Sequence, residues 1–283
     1  MPPGLVWIAS YPKSGNTWMR VLLANLAAGG DRPADINALD SLGGIASSRH
    51  DFEDLTLVDS TLLREEEAEL LRPAFHDAMA GAASSGAACK VHDAYTRLED
   101  GTPLLGRGAR AALYMVRDPR DVAVSFAFHQ NISLDQATQF LCRPAAHLKT
   151  STTQFRQRLL CWSNHVASWL DQADLPVHLL RYEDLCAAPL EEFRRALDFL
   201  GIRAAPQEIH RAVAHSDFAE LQRQEQDNGF RERLKDQQTF FRRGKVGDWR
   251  NHLNHEQVRL IETAHAAMMD RLGYDRITKA EEQ

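Results

Sequence analysis

Short apolar runs alternate with longer amphipathic stretches along this chain, and the alternation predicts its elements before any motif is considered. Residues 5–9 form an apolar run too brief for a helix. A polar, glycine-containing stretch to Gly15 follows, then helix-favouring residues 17–27, which predicts strand, turn and helix. The order recurs: a helix near 65–80 precedes a strand at 87–91, a strand at 111–116 leads into a helix at 121–130, and a strand at 177–180 precedes a helix at 190–200. Such alternation predicts an α/β fold, a mainly parallel sheet with helices on both faces. Phe155, Leu159, Trp162, Val166 and Trp169 recur at spacings of four and three, which predicts one apolar stripe on a helix packed against that sheet. The mixed, polar tract 131–153, with Pro144 and a Thr/Ser cluster, reads as a loop or short helices over one edge, and as a candidate mobile lid. Residues 222–238, rich in Gln, Arg, Glu and Asp, read as a second mobile segment, and residues 279–283 as a frayed end. No internal repeat of fixed period is present.

Composition narrows the class without naming a function. A hydrophobic fraction of 44% and a charged fraction of 25% exclude collagen-like, wholly disordered and disulfide-scaffold chains. At 283 residues an α/β chain is expected to be one domain, 1–283. Thirty-three Lys and Arg against 39 Asp and Glu leave a net charge of -6, so nothing recommends nucleic acid or an anionic membrane, and an anionic ligand must be held by local basic groups. Cys89, Cys142, Cys161 and Cys186 are scattered and form no CxxC pair, which suits a reduced compartment. Without a basic leader or an apolar stretch approaching ~18 residues, the expectation is a cytoplasmic chain with no membrane partner.

Four segments carry candidate chemistry. In Tyr11-Pro12-Lys13-Ser14-Gly15-Asn16-Thr17-Trp18 a glycine-containing turn opens a helix, whose free N–H groups and positive dipole end favour an anion. Lys13 adds a charge, and Ser14, Asn16 and Thr17 add short donors. An ordinary strand-to-helix turn with a solvated lysine fits the same residues. The Walker pattern is absent, because this lysine precedes the glycine. Lys90 and His92 close another strand two residues apart, on one face. A histidine whose reference pKa is roughly 6.5 can take a proton from an attacking hydroxyl, although a lone loop histidine is more often satisfied by backbone. In Arg117-Asp118-Pro119-Arg120-Asp121, helix capping explains Asp118 and Pro119 but not Arg117, nor Ser125 further into the helix; both suit a phosphate. Finally, Phe240 to Arg250 is a basic, glycine-punctuated loop holding Arg242, Arg243, Gly244 and Lys245, either a solvated turn or a second phosphate site.

Together these segments resemble the PAPS-dependent sulfotransferases, where PAPS is 3′-phosphoadenosine 5′-phosphosulfate. YPKSGNTW at 11–18 is similar to that family's 5′-phosphosulfate loop, YMVRDPRDVAVS at 114–125 to its 3′-phosphate segment, and FFRRGKVGDWRN at 240–251 to its RKGxxGDWKN loop. KVH at 90–92, WSNHVASW at 162–169 and LLRYEDL at 179–185 extend the resemblance over nearly the whole chain. It implies a P-loop-like single domain. By resemblance Lys13 contacts the bridging oxygen and sulfate, Ser14, Gly15, Asn16 and Thr17 surround the 5′-phosphate, and Trp18 stacks on adenine. His92 would be the catalytic base, with Lys90 nearby. Arg117, Ser125, Arg242, Arg243 and Gly244 would hold the 3′-phosphate, Tyr182 would meet the adenine edge, and Ser216 and Phe218 would supply a further nucleotide contact. Asn16 replaces the common Thr, Arg243 replaces Lys, and residues 250–259 lack the Lys-x-x-x-Thr-Val-x-x-x-Glu dimer motif of animal cytosolic members, so that dimer is not implied.

The expected reaction is in-line sulfuryl transfer from PAPS to a hydroxyl or amine of a small-molecule acceptor, releasing 3′-phosphoadenosine 5′-phosphate (PAP). Resemblance to bacterial antibiotic-tailoring members points to a natural-product alcohol or phenol. A P-loop kinase and a non-catalytic nucleotide-binding module are the alternatives. No metal is expected: neither HExxH nor HxxEH occurs, and His252 and His255 suit a water-facing stretch. Glu65, Glu66 and Glu67 suit the start of a helix, Cys89 suits core packing, and residues 78–88 read as a helix end and connector.

Overall fold

The protein is described here from a computed structural model covering residues 4–84, 86–234 and 239–278. In chain order the elements are β1 (Val6–Ser10), α1 (Asn16–Ala28), α2 (Arg49–Thr56), α3 (Glu65–Ala82), β2 (Ala88–Val91), β3 (Ala111–Val116), α4 (Pro119–Gln130), α5 (Leu134–Cys142), β4 (His147–Leu148), β5 (Gln157–Arg158), α6 (Trp162–Leu170), β6 (Val177–Arg181), α7 (Tyr182–Ala187), α8 (Pro189–Phe199), α9 (Pro206–Ala214), α10 (Phe218–Asn228) and α11 (His255–Arg271). Short 3-10 turns lie at Ile36–Leu42, Ser60–Leu62 and Asp248–Asn251.

The main sheet has the order β2-β1-β3-β6 with every pairing parallel, Ile8 lying between Lys90 and Leu113. Both faces are covered, so β1 and β3 are buried along their length and, but for Ser10, apolar. Alternate residues serve opposite layers. Trp7, Ala9, Val91, Tyr114 and Val116 face Val122 and Phe126 of α4, Trp162, Val166 and Trp169 of α6, and Ile261 and Met269 of α11. Val6, Ile8, Leu113 and Met115 face Met19 and Leu22 of α1, Phe193 and Leu197 of α8, and Ile209 and Ala212 of α9. The chain leaves β1 for a strand on one side and returns to one on the other. This opens a crevice at the carboxyl ends of β1, β2 and β3, the usual ligand position in open α/β sheets.

One expectation is corrected, and two segments are given their elements. The apolar stripe is not one helix: α6 begins at Trp162, Leu160 has φ +60, and Gln157 and Arg158 pair antiparallel with Leu148 and His147. Phe155 instead packs on Phe52, with ring centroids 5.0 Å apart. Of the two alternatives for the tract 131–153, the structure has a short helix: Ser133 and Gln136 form a capping box for α5, which buries Ala137, Thr138 and Leu141 and lies against α4 and α11. In the segment 222–238, α10 continues to Asn228; residues 235–238 lie outside the described residues, as do Ser85 of the connector 78–88 and residues 279–283.

Among the described residues, no helix is long and apolar enough to cross a membrane, and no group of three or more His, Cys, Asp or Glu side chains is placed to hold a metal ion. All four cysteines are free.

Candidate active site

The turn from β1 into α1 carries two strained positions. Lys13 has φ +70 and Gly15, the N-cap of α1, has φ +104. A Cβ at Gly15 would stand 2.9 Å from Tyr182 Cδ2 and 3.2 Å from Met115 Cε, so the loop can lie flat on Tyr182 only with glycine there. No side chain caps α1, so its first N–H groups are left for a ligand or solvent. Gly15→Ala is expected to cost about 1 to 3 kcal/mol of stability from backbone strain alone. The check is a lower urea midpoint at an unchanged m value.

Lys13 is half-buried with its Nζ 3.9 Å from the centre of the Phe240 ring. Burial, followed by the charges of Lys90 and Arg117, brings its pKa down to about 7. The Ser14 hydroxyl is buried without a hydrogen-bond partner among the described residues, in the same loop. The Asn16 side chain is turned inward: its amide donates to Ile8 O at 2.7 Å and to Ser10 Oγ at 3.3 Å. Asn16 and Thr17 still line the cleft, but the Asn16 amide nitrogen braces the turn against β1 instead of serving as a free donor.

His92 follows β2. Its Nδ1 donates to Ser10 O at 2.8 Å, with Ser10 Oγ at 3.2 Å, which leaves the lone pair on Nε2. Nε2 makes no hydrogen bond among the described residues, and His92 lines the cleft. Burial, and then Lys90, hold its pKa well below the usual histidine value, so the ring is neutral near pH 7. Its backbone is fixed from behind. His165 Nε2 donates to His92 O at 3.0 Å, and Tyr114 Oη donates to His165 Nδ1 at 2.7 Å. Lys90 lies beside this pair without lining the cleft; its Nζ is bound by Glu232 at 2.7 Å.

The arginines arrive from β3 and from the 240–250 loop. Arg117 stacks on Tyr182, its guanidinium carbon 4.4 Å from the ring centre, and donates to Lys245 O at 2.9 Å, while its buried Nε has no partner among the described residues. Asp121 joins the two motifs, accepting from Gly247 N at 2.7 Å and Trp249 N at 2.9 Å. Arg242 and Arg243 are held by Asp248 at 2.8 and 3.4 Å, and Arg242 also lies 4.3 Å over Phe128. Gly244, at φ +61, is pressed against Phe218, where a Cβ would come within 2.6 Å of the ring.

Most of these groups line one cleft of about 950 Å³, counting its open mouth; Ser14, Lys90 and Asp121 do not. Lys13, Gly15, Asn16, Thr17, Trp18, His92, Arg117, Ser125, Tyr182, Phe218, Arg242, Arg243 and Gly244 are all there. Trp18 is fixed by its Nε1 donating to Ser216 O at 2.9 Å and stands edge-on to Tyr182 at 5.8 Å. Ser216 is not brought to the cleft. It is buried behind Trp18, its hydroxyl donating to Ala212 O and accepting from Asn25 Nδ2. The motifs contained Asp121, His165, Phe240, Phe241, Lys245 and Asp248 without a sequence signal for their contacts; Asp248 holds two arginines that like charge would otherwise separate. Cys186, Leu221 and Glu232 carried no signal.

A glycine-capped turn at a helix N-terminus, a neutral histidine whose Nε2 makes no hydrogen bond among the described residues, and arginines from β3 and the 240–250 loop meet at the carboxyl edge of an α/β sheet. The sulfotransferase domain family model matches residues 102–273, and the chain belongs to that family. The matched stretch holds Arg117, Ser125, Tyr182 and the 240–250 loop; Lys13 and His92 lie before it. Rat Sulfotransferase 2A2 is 26% identical over 155 residues, 53% of this chain and 53% of the relative. The alignment thus spans about half the length of that curated relative. Arabidopsis thaliana Cytosolic sulfotransferase 1 is 25% identical over 277 residues, covering 90% of this chain and 75% of the relative. The crystal structure of retinol dehydratase in complex with androsterone and inactive cofactor PAP shares the fold, with TM-score 0.62 at 20% identity over 94% of this chain and 80% of that one.

Proposed function

We propose that the chain transfers a sulfuryl group from PAPS to a hydroxyl or amine of a small-molecule acceptor, of the alcohol or phenol type found in natural products, and that it does so in the cytosol. The observation that carries this reading is the meeting of Lys13, His92 and the Arg117 and Arg242 groups in one cleft. Relatives named as sulfotransferases support it, as do structural neighbours solved with PAP and with retinol or androsterone. Four free cysteines agree with a reduced compartment.

The donor set suits such a nucleotide. Ser14 Oγ and Arg117 Nε are buried and unpartnered, and the Gly15 and Gly244 positions have no room for a Cβ. The α1 N-terminus with Lys13 would hold the 5′-phosphosulfate; Arg117, Ser125, Arg242, Arg243 and Gly244 the 3′-phosphate; Trp18, Tyr182 and Phe218 the adenine. PAPS supplies an activated sulfuryl group and a phosphate leaving group. His92 accepts the acceptor's proton at Nε2, its other nitrogen being held by Ser10 O. Lys13 offsets charge growing on the leaving oxygen, and the N–H groups of α1 orient the phosphate beneath it. Because His92 is depressed below 6.5, its basic form persists on the acid side of neutrality. Lys13, at about 7, loses charge above neutrality in the free protein, so nucleotide affinity falls as pH rises through that region.

Turnover of PAPS without a divalent metal, measured with labelled sulfate over a panel of alcohols, phenols and amines, tests the reading against a P-loop kinase. Activity with ATP and Mg²⁺ and none with PAPS would overturn it. Arg117→Ala is expected to weaken PAP binding by about 1.5 to 3 kcal/mol, one charge-assisted contact, as read by calorimetry.

A further inference from the structure

Arg20, in the second turn of α1, is fully buried and its Nη1 bonds Glu232 Oε1, while Nη2 reaches Asp40 Oδ1 at 3.4 Å. The other oxygen of the same carboxylate, Glu232 Oε2, accepts from Lys90 Nζ at 2.7 Å. One carboxylate therefore serves two cations from two elements, α1 and β2, beside the turn that carries Lys13. Its delivery is built into the fold. Past the end of α10, Gly229 O accepts from Asn37 Nδ2 at 3.1 Å and Arg231 N donates to Asn37 Oδ1 at 2.8 Å. Between them, Phe230 packs on Phe240 and Phe241 with ring centroids 4.7 and 5.3 Å away. A buried arginine and a largely buried lysine without such a partner would be uncompensated charges.

We propose that Glu232 is a positioning residue of the transfer site, holding Lys90 beside His92 and supplying the negative charge that offsets the Lys13, Lys90 and Arg20 cluster before the nucleotide arrives. The proposal rests on the reading of the cleft as a PAPS site. It assigns the segment after α10 a function in the chemistry: that segment sets the charge felt by the two groups that act on the sulfuryl centre.

The charged groups facing Lys13 are Lys90 from β2, Arg117 from the end of β3, Glu225 from α10, and Glu232. Those facing His92 are Lys90, His165 from α6, and Glu232. Although burial pushes the Glu232 carboxyl up, Lys90 and Arg20 hold it well below the usual carboxylate range, so it is ionised throughout the working pH. In both neighbours it opposes the drop caused by burial and by Lys90. Removing its charge leaves more of the free protein with neutral Lys13 at pH 7 to 8, and binding of PAP must then take up a proton from solvent.

The test is calorimetric titration with PAP from pH 5.5 to 9. In the unaltered protein, affinity falls on the alkaline side of a midpoint near 7. Glu232→Gln moves that midpoint to lower pH by about half a unit or more, the scale of one partly screened charge nearby. Glu232→Asp, which keeps the charge, leaves it clearly closer to the parent than Glu232→Gln does. Lys90→Gln, which removes a cation while Glu232 stays, moves it to higher pH, and so tests the cluster even if the glutamine variant does not fold. An unmoved midpoint in Glu232→Gln, or in Lys90→Gln, overturns the proposal while leaving the nucleotide reading intact. Failure of the unaltered protein to bind PAP at any pH overturns the nucleotide reading and this proposal with it.

Discussion

His92→Ala lowers turnover by about 10² to 10⁴-fold, the range for a positioned acid or base, while PAP affinity stays within about threefold of the parent. The asymmetry follows from geometry. Nδ1 is held by Ser10 O, so the ring offers the cleft its Nε2 lone pair and no positive charge. Burial and Lys90 keep it neutral, so it contributes little to holding an anion and much to removing a proton. His92→Gln retains a polar side chain without a basic nitrogen and is expected to be as slow as the alanine variant. Steady-state rates with labelled PAPS, beside calorimetry with PAP, separate the two quantities. Equal losses in turnover and PAP affinity would make His92 a ligand instead of a base.

Lys13→Met has the second large effect, a fall of about 10² to 10³-fold in turnover, the scale of one preorganised charge aimed at a developing anion. It also weakens PAP at pH 6.5, where Lys13 is charged, and has a smaller effect on PAP binding at pH 8.5, where the free protein has largely lost that charge. A purely structural lysine would show no such dependence on pH. Methionine fills similar volume beneath Phe240, so Gly15 and the start of α1 should keep their places. Comparing PAP affinities of the parent and variant at the two pH values checks this; a pH-independent ratio would contradict it.

The four main strands were legible because parallel strands covered on both sides are short, mostly apolar runs; β3 is wholly apolar, while β2 and β6 at the sheet edges keep Lys90, His178 and Arg181. The start of α6 was less legible. Phe155 and Leu159 keep a helical spacing with Trp162, but the backbone reverses at Leu160 and Phe155 turns to a separate cluster with Phe52. The polarity of 131–153 left a loop and short helices both open; α5, covered by α4 and α11, has a capping box, a local signal that an apolar period alone does not register.

Within the site, motif order indicated which segments share a cleft, yet it did not indicate where each side chain points. Asn16 sits in the phosphate-loop motif while its amide serves β1, and Ser216 sits near the aromatic wall while its hydroxyl serves α1 and α9. Lys90 alternates onto the face of His92 but is drawn to Glu232, some 142 positions away in sequence, a pairing that no local pattern encodes. Asp121 and Asp248 were visible as charges; their work of tying Gly247, Trp249 and two arginines together appears only when the loop is folded against α4.

The most direct test of the central claim is a paired titration at pH 6.5 of PAP and of adenosine 5′-phosphate, which lacks the 3′-phosphate. With the 5′ end at Lys13 and α1 and the 3′ end at Arg117 and Arg242, PAP binds at least about 100-fold tighter, since two charge-assisted contacts are lost without it. Equal affinities for the two nucleotides, or no saturable binding of either, would contradict the account.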